Sequence, residues 1–477
     1  MTRTNTAVVV GAGPNGLTAA AMLARAGMEV TVHEAGDTPG GACRSGSVLG
    51  PGIISDLGAA AHPLGVVSPA FRHLQLERHG LRWLHPEVVV AHPLDEDEAA
   101  VVYRDLHRTA EGLGRDGRAW AALHRGVTDR WDEVVTSVLG PLVQIPSHPL
   151  ALAAFGARAV APATLTASAL FKQARTRALF AGSATHSVLP PSHLLTSAFG
   201  VLFGAAAQTT GWPVAQGGSQ AIVDALVAEL TAQGGRIVTG HTVRDLRTVG
   251  PADLIILDLT PRQVLALEGL ALPPRYRKAL RRWRYGTAVH KIDLLLDGPA
   301  PWKDPQVARA GTVHLGGTLE EIEVAERQAR SGRLPERPFV MVAQPSSIDP
   351  TRAPEGTTVM WAYAHVPYGC DDPRAGERVM NQLERFAPGM RDRVLARHDT
   401  GPAALQAWNP NLVGGTIGGG ALDGLQQAFR PALQANPYAT GVPGVWLASS
   451  STPPGGGVHG MAGYHAATHA LRHHTST

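Results

Sequence analysis

VVVGAGPNG, near the start of the 477-residue chain, sets Gly11, Gly13 and Gly16 in a G-x-G-x-x-G spacing, with Pro14 and Asn15 between the last two. That spacing lets backbone turn tightly and approach a ligand, and a helix that follows offers unpaired N–H groups to a phosphate. Glu34 stands where an acid would bind a ribose hydroxyl. It favours an adenosine with a free 2′-hydroxyl, so NADP is disfavoured and NAD and FAD remain. A second glycine turn, ASSSTPPGGGVHG, runs from Ala448 to Gly460. Four side chains are candidates for moving protons or stabilising charge: Lys291 in VHKIDLLLDG, His62 in GAAAHPL, His186 in ATHSVLPP and His459 in GGGVHG. Unperturbed, an imidazole titrates near neutral pH and suits a proton acceptor.

The flanking patterns must position these residues. Ala7 to Val10 is an apolar, β-branched run of the kind found in buried parallel strands. Thr18 to Ala26 reads as a small-residue helix ending at Gly27, and Glu29 to His33 as a second strand, which completes a βαβ unit. Ile222, Leu226 and Leu230 recur at helical spacing, and Ala252 to Pro261 reads as another buried strand. Val445 to Ala448 reads as a strand leading into a helix that begins among Gly455, Gly456 and Gly457. Period two puts Lys291 on one strand face with Val289, Asp293 and Leu295, so Asp293 competes as its partner.

After Glu34 the chain resembles the FAD-dependent amine oxidase and phytoene desaturase superfamily. Gly40, Gly41, Arg44 and Ser45 match its GG-x-x-R-S/T segment, and Ser55-Asp56-Leu57-Gly58 its later D-x-G turn. Gly211 to Leu246 follows its order of glycine turn, helix, GG and strand, and the C-terminal glycine turn completes the match. The resemblance implies FAD and an α/β fold. It implies a discontinuous, Rossmann-like FAD-binding domain of the glutathione reductase-like type (1–75, 212–275 and 425–477). An α+β substrate domain would be inserted, helical over 76–211 and sheet-rich over 276–424. It further implies cofactor contacts from Ala35, Gly58 and Ala59, from Val243 beside the adenine, and from Ser450, Gly456, Gly457 and Val458. Most members carry an acid where Ser450 stands; a serine there marks the phytoene-dehydrogenase-related group. Lys291 falls on the strand where the amine oxidases hold a lysine that is water-linked to flavin N5. The implied reaction is hydride removal from a hydrophobic substrate (polyene, isoprenoid or lipid-like), as desaturase or oxidase. A flavin-dependent isomerase without net redox, and an FAD-binding interaction protein with little turnover, stay open.

Composition narrows the classes. Apolar residues make up 44% and charged residues 17%, as in a folded protein with a large core. A net charge of +3 is too small to argue for nucleic acid. Two cysteines, Cys43 and Cys370, form no CxxC pair, which argues against a redox dithiol or a cysteine-based zinc site. No metal site is expected; the histidines near the C-terminus (His469, His473, His474) read as a frayed tail. The N-terminus leaves no room for a signal peptide, and a cytoplasmic protein is expected. His193 to Trp212 is apolar, but its many small residues read as a buried helix rather than a membrane span. RYRKALRRWRYG, Arg275 to Gly286, reads either as a solvated helix face or as a peripheral contact with an anionic membrane. A long apolar cavity is expected between about residues 150 and 210.

Overall fold

Val8, Val9 and Val10 can be buried on both faces only if strands and helices surround them. The computed structural model, which describes residues 5–141 and 147–474, supplies both. Residues 142–146, within the segment expected to be helical, therefore lie outside the described residues. Thr6–Val10 is the centre of a five-stranded, fully parallel sheet in the order Val445–Leu447, Leu254–Leu257, Thr6–Val10, Glu29–His33, Arg236–Val238. Its register is direct: Val9 lies opposite Val32 on one side and Ile256 on the other. Helix Pro14–Arg25 has proline in its first turn, where no N–H is missed, and buries an almost purely alanine and leucine face. Helix Met461–His474 crosses it at Gly463, where a Cβ would stand 1.9 Å from the Asn15 carbonyl. Only a residue without a side chain permits that contact.

The C-terminal glycines do not open this helix. Gly455 and Gly457 sit at φ +113° and +129° and Gly460 at +66°, so the chain turns until Met461. The helix then runs through His474 rather than fraying, with the His469 ring stacked on Tyr438 and His473 edge-on to Trp446.

A second, seven-stranded mixed sheet has the order Val394–Thr400, Ala288–Asp297, Thr357–Val366, Val340–Ala343, Ala310–Leu315, Val88–His92, Ala100–Val102. The last two strands come from the segment read as helical, where alternating polar positions were too few to announce them. One face carries Ile292, Leu294, Val313, Val342 and Met360, all buried in a core shared with helix Ala375–Phe386. The opposite face is polar and aromatic. Lys291, Tyr363, Met341 and His314 lie opposite one another across four successive strands. Against that face packs helix Ala174–Ala184, its Gly182 beside His314 and His92, and helix Thr196–Ala207 packs on that helix through Gly200 and Phe180, the buried helix expected of its composition.

One buried guanidinium ties the short strand Ser55–Asp56 to the turn that precedes strand Thr357–Val366 of the large sheet. Arg352, with no exposed side-chain surface, donates from Nη1 to Asp56 Oδ2 at 2.8 Å and from Nε to Asp349 Oδ2 at 3.0 Å. Asp56 Oδ1 also accepts from Ser45 Oγ and the Ser219 amide, both at 2.7 Å, and Asp349 accepts from the Gly217 amide at 2.7 Å. Arg352→Met leaves two buried carboxylates unpaired and should cost about 3–5 kcal/mol of unfolding free energy. Urea titration checks this; a loss under about 1 kcal/mol would show that the triad is dispensable.

Candidate cofactor site

At the carboxyl edge of the parallel sheet, where ligands of open α/β sheets bind, the first turn is built as its sequence requires. Gly11 takes φ +100°, and a Cβ on Gly16 would fall 2.0 Å from the Gly11 carbonyl. Pro14 and Asn15 form the first helical residues, and the Asn15 Oδ1 is buried without a partner. Glu34 is oriented by backbone: its Oε2 accepts from the Ala12 amide at 2.7 Å and its Oε1 from the Gly36 amide at 2.8 Å. Gly40 donates to the Ala12 carbonyl, and a Cβ on Gly41 would approach the Gly13 Cα to 3.2 Å, so the GG segment lies directly on the turn. Arg44 leans over Trp408 with its Nε buried and unpartnered. Ala35 is exposed beside Glu34. Gly58 and Ala59 pack on Ala42, whose carbonyl accepts from the Ala59 amide.

Two cofactor contacts expected from sequence look different here. The Ser45 hydroxyl is committed to Asp56, because a buried carboxylate takes the nearest donor; Ser45 acts on the Asp56–Arg352 network. Val243 lies in the loop beyond strand Arg236–Val238, half-buried against the apolar cluster of Val8 and Val10 rather than on a strand.

The second turn meets the same region. Ser450 gives its carbonyl to Arg430, Gly456 touches Gly418, and the Val458 carbonyl lies 2.9 Å from where a Cβ on Gly65 would stand. His62 is beside this point, 3.3 Å from the same Cβ position, with its Nε2 2.8 Å from Ser219 Oγ. Its expected near-neutral titration does not hold. Burial pushes it down to about 4, so the ring is neutral at pH 7. His459 is brought to the turn too, but its Nδ1 accepts from the Met461 amide and its carbonyl from Ser68 Oγ, a role in starting the last helix. Burial lowers its pKa to about 4.

His186 lies elsewhere, between Phe203 and Trp212, with its Nε2 3.1 Å from His314 Nε2. Burial holds it near 3. With His92, His314 and the His365–Glu326 pair it fills the interface between helix Ala174–Ala184 and the large sheet. That interface is therefore lined with imidazoles rather than purely apolar. Two surface cavities, of about 580 Å³ around Asp95, Glu336 and Arg385 and about 440 Å³ around Arg262, Trp283 and Tyr368, are not walled by residues 150–210.

Lys291 is buried and ion-paired with Asp293, as period two allowed. Both carboxylate and ammonium are pushed toward neutrality by burial, and each opposes that shift in the other. Asp258 was not anticipated. It ends strand Leu254–Leu257 and accepts from the Gly16 amide at 3.0 Å, inside the anion-binding turn. Burial, with Glu34 nearby, raises its pKa to about 7 against the lowering effect of that hydrogen bond. An acid closing an otherwise apolar strand, ILD, was the signal available. Among the described residues no cluster of three or more His, Cys, Asp or Glu side chains is arranged to hold a metal.

Glycine cradles at both turns, an oriented acid and buried unpartnered polar atoms on Asn15, Arg44 and Arg430 fit a long polar dinucleotide lying along the sheet edge. The fold and site define a Rossmann-type dinucleotide-binding protein with a second, mixed-sheet domain. Residues 15–471 match the flavin-containing amine oxidoreductase family, and the chain belongs to it. It is 26% identical to rat pyridine nucleotide-disulfide oxidoreductase domain-containing protein 2, over 97% of this chain and 92% of that one. It is also 26% identical to hydroxyneurosporene desaturase of Cereibacter sphaeroides, over 96% of each chain. An oxidoreductase from Methanosarcina mazei has the same fold, at a TM-score of 0.64 and 19% identity over 98% of this chain and 100% of that one. The protein is an FAD-dependent oxidoreductase. When bound, FAD supplies the hydride-accepting chemistry.

Asp258 makes FAD binding depend on pH. A diphosphate at the Gly16 amide favours the neutral acid, so binding takes up a proton once pH exceeds the free value of about 7. Affinity should be constant below pH 7 and fall by up to about tenfold per pH unit above it. Asp258→Asn should flatten the profile, as read by flavin fluorescence quenching; an unchanged slope refutes the coupling. For Lys291, Lys291→Met alone should destabilise by about 3–5 kcal/mol, and adding Asp293→Leu should restore most of the loss. Flavin reoxidation that stays slow in the folded double variant would indicate a chemical role beyond the pair.

Proposed function

We propose that the protein desaturates a hydrophobic, polyene or isoprenoid-like substrate, delivering a hydride from one substrate carbon to flavin N5 while a proton leaves the neighbouring carbon. The observation that carries this reading is the near full-length match to hydroxyneurosporene desaturases of two bacteria. His62 supports it as the proton acceptor: it stands at the second turn, neutral, with its Nδ1 buried and unpartnered. Lys291 is the proposed holder of a water at N5, provided that its pairing with Asp293 leaves a donor free.

A greasy substrate is best met at a membrane, and one surface favours that contact. The basic helix Pro274–Arg281 does not, since Tyr276, Leu280 and Trp283 all turn inward and leave only a solvated charged face. Several exposed apolar side chains lie instead on helices Pro149–Ala159 and Ala163–Leu170 and the segments that flank or hydrogen-bond to them: Leu150, Val160, Leu165 and Leu194. Among the described residues no single helix is long and apolar enough to cross a membrane. The bent pair is proposed to lie in the interface, a peripheral attachment to the membrane of a cytoplasmic protein.

Mixed without oxygen with a hydroxylated linear polyene, the FAD-loaded protein should lose its yellow colour and yield a product two hydrogens lighter. A product of unchanged mass would favour isomerisation, and no change with any polyene would defeat the reading. Leu165→Asp with Leu194→Asp should abolish flotation with anionic vesicles while leaving the flavin bound; retained flotation refutes the proposed surface.

A further inference from the structure

The first glycine turn is rich in carboxylates, whereas the second holds a cation with no counterion. Arg430 is 2% exposed. Burial alone lowers its pKa, to about 10, so it stays charged at neutral pH, and no ion pair reaches it among the described residues. One terminal nitrogen donates to the carbonyls of Gly418 and Ser450, each at 3.2 Å. The Nε and Nη1 groups are buried with no acceptor. The guanidinium lies over Trp283 at 5.3 Å, and its Nη1 stands 3.0 Å from where a Cβ on Gly455 would be.

An uncompensated buried cation is strongly unfavourable, and proteins give such groups a partner. Here no protein partner is supplied among the described residues. A Cβ on Gly419 would strike Ser450 at 2.5 Å, and one on Gly420 would strike Trp283 at 2.1 Å. The glycines thus let the backbone close on Arg430, which is held by the Gly418 and Ser450 carbonyls and the Trp283 ring. The location points to the cofactor. Ser450 and Gly455 belong to the turn that leaves strand Val445–Leu447, at the same carboxyl edge as Gly11 and Gly16. Other basic residues do not serve there: Lys291 is neutralised by Asp293, and Arg352 by two carboxylates.

We infer that Arg430 is the anion-binding residue of the second turn, its free Nε and Nη1 taking an anionic atom of FAD. Two parts of FAD carry that charge, the diphosphate and the N1–C2=O edge of the reduced ring. A cation at the ring edge stabilises charge that exists only after reduction, whereas one at the diphosphate acts equally on both redox states.

The test uses the full-length flavoprotein with Arg430→Gln, which keeps a donor for Gly418 and Ser450 but removes the charge, and Arg430→Lys, which keeps the charge. Oxidised FAD affinity, sulfite affinity (the N5 adduct places negative charge on the ring edge) and midpoint potential are read on each. A tenfold or greater loss of FAD affinity in Gln, at unchanged potential and largely restored in Lys, assigns the diphosphate. FAD affinity within threefold, with sulfite bound at least tenfold more weakly and the potential more negative, assigns the ring. Gln equal to wild type in all three, or Lys as impaired as Gln, overturns the proposal and leaves Arg430 as a tie between two loops. Should Gln fail to fold, the wild type decides. FAD dissociation that ignores salt, together with a reduced flavin that is protonated at N1 as readily as free flavin, also overturns it.

Discussion

Asp56 and Asp349 are buried against the single guanidinium of Arg352, and much of the active region hangs on that charge balance. Asp56 fixes Ser45 and the Ser219 amide, and Ser219 Oγ in turn fixes His62. His62 also donates its amide to the Pro213 carbonyl, and the neighbouring Val214–Ala215 pairs with Trp83–Leu84. A single ion-pair cluster thus connects residues 45–62, 213–219 and 349–352, stretches hundreds of positions apart. It joins the strand Ser55–Asp56 to the turn that precedes strand Thr357–Val366 of the sheet that carries Lys291. Removing hydrogen bonds from such a network disturbs more than the pair that is broken, because three of the four carboxylate oxygens serve two donors each.

The electrostatics of the cofactor edge are asymmetric. Glu34 and Asp258 stand with Arg44 at the first turn, while Arg430 at the second is paired by no carboxylate among the described residues. Burial decides the protonation of the remaining groups. The imidazoles of His62, His186 and His459 are all held neutral, so charge near the cofactor comes from carboxylates and guanidinium.

What was legible in the sequence was local. The βαβ unit from Thr6 to Glu34 could be read because strand, turn and helix each leave a pattern within a few residues. The shared face of Lys291 and Asp293 could be read because strand periodicity is two. Contacts between distant segments left no such trace. Asp258 meets Gly16 across 242 positions and Arg352 meets Asp56 across 296, and neither has a flanking pattern that names its partner. The histidines misled for a related reason. An imidazole's pKa depends on its burial, and His62 is enclosed by Trp83 and Ser219 from other parts of the chain. The glycine run at 455–457 was read as a helix start, but positive φ values at Gly455 and Gly457 keep the chain out of the helix until Met461. In the basic stretch from Arg275, the aromatic and leucine side chains between the charges point to the core, a direction that periodicity alone does not reveal.

The order of strands in the parallel sheet also bears on how the protein is made. Its central strand, Thr6–Val10, is synthesised well before its neighbour Leu254–Leu257 and the edge strand beyond that, Val445–Leu447. Helix Met461–His474, which covers the helix of the first glycine turn, emerges later still. Domains that are contiguous in sequence can fold one after another during translation. Here the nascent chain must hold apolar residues such as Val8 and Val10 without their final covering until those later strands are made. A ribosome that stalls before Val445 therefore leaves the Leu254–Leu257 edge of the sheet unpaired, a natural target for chaperones and proteases.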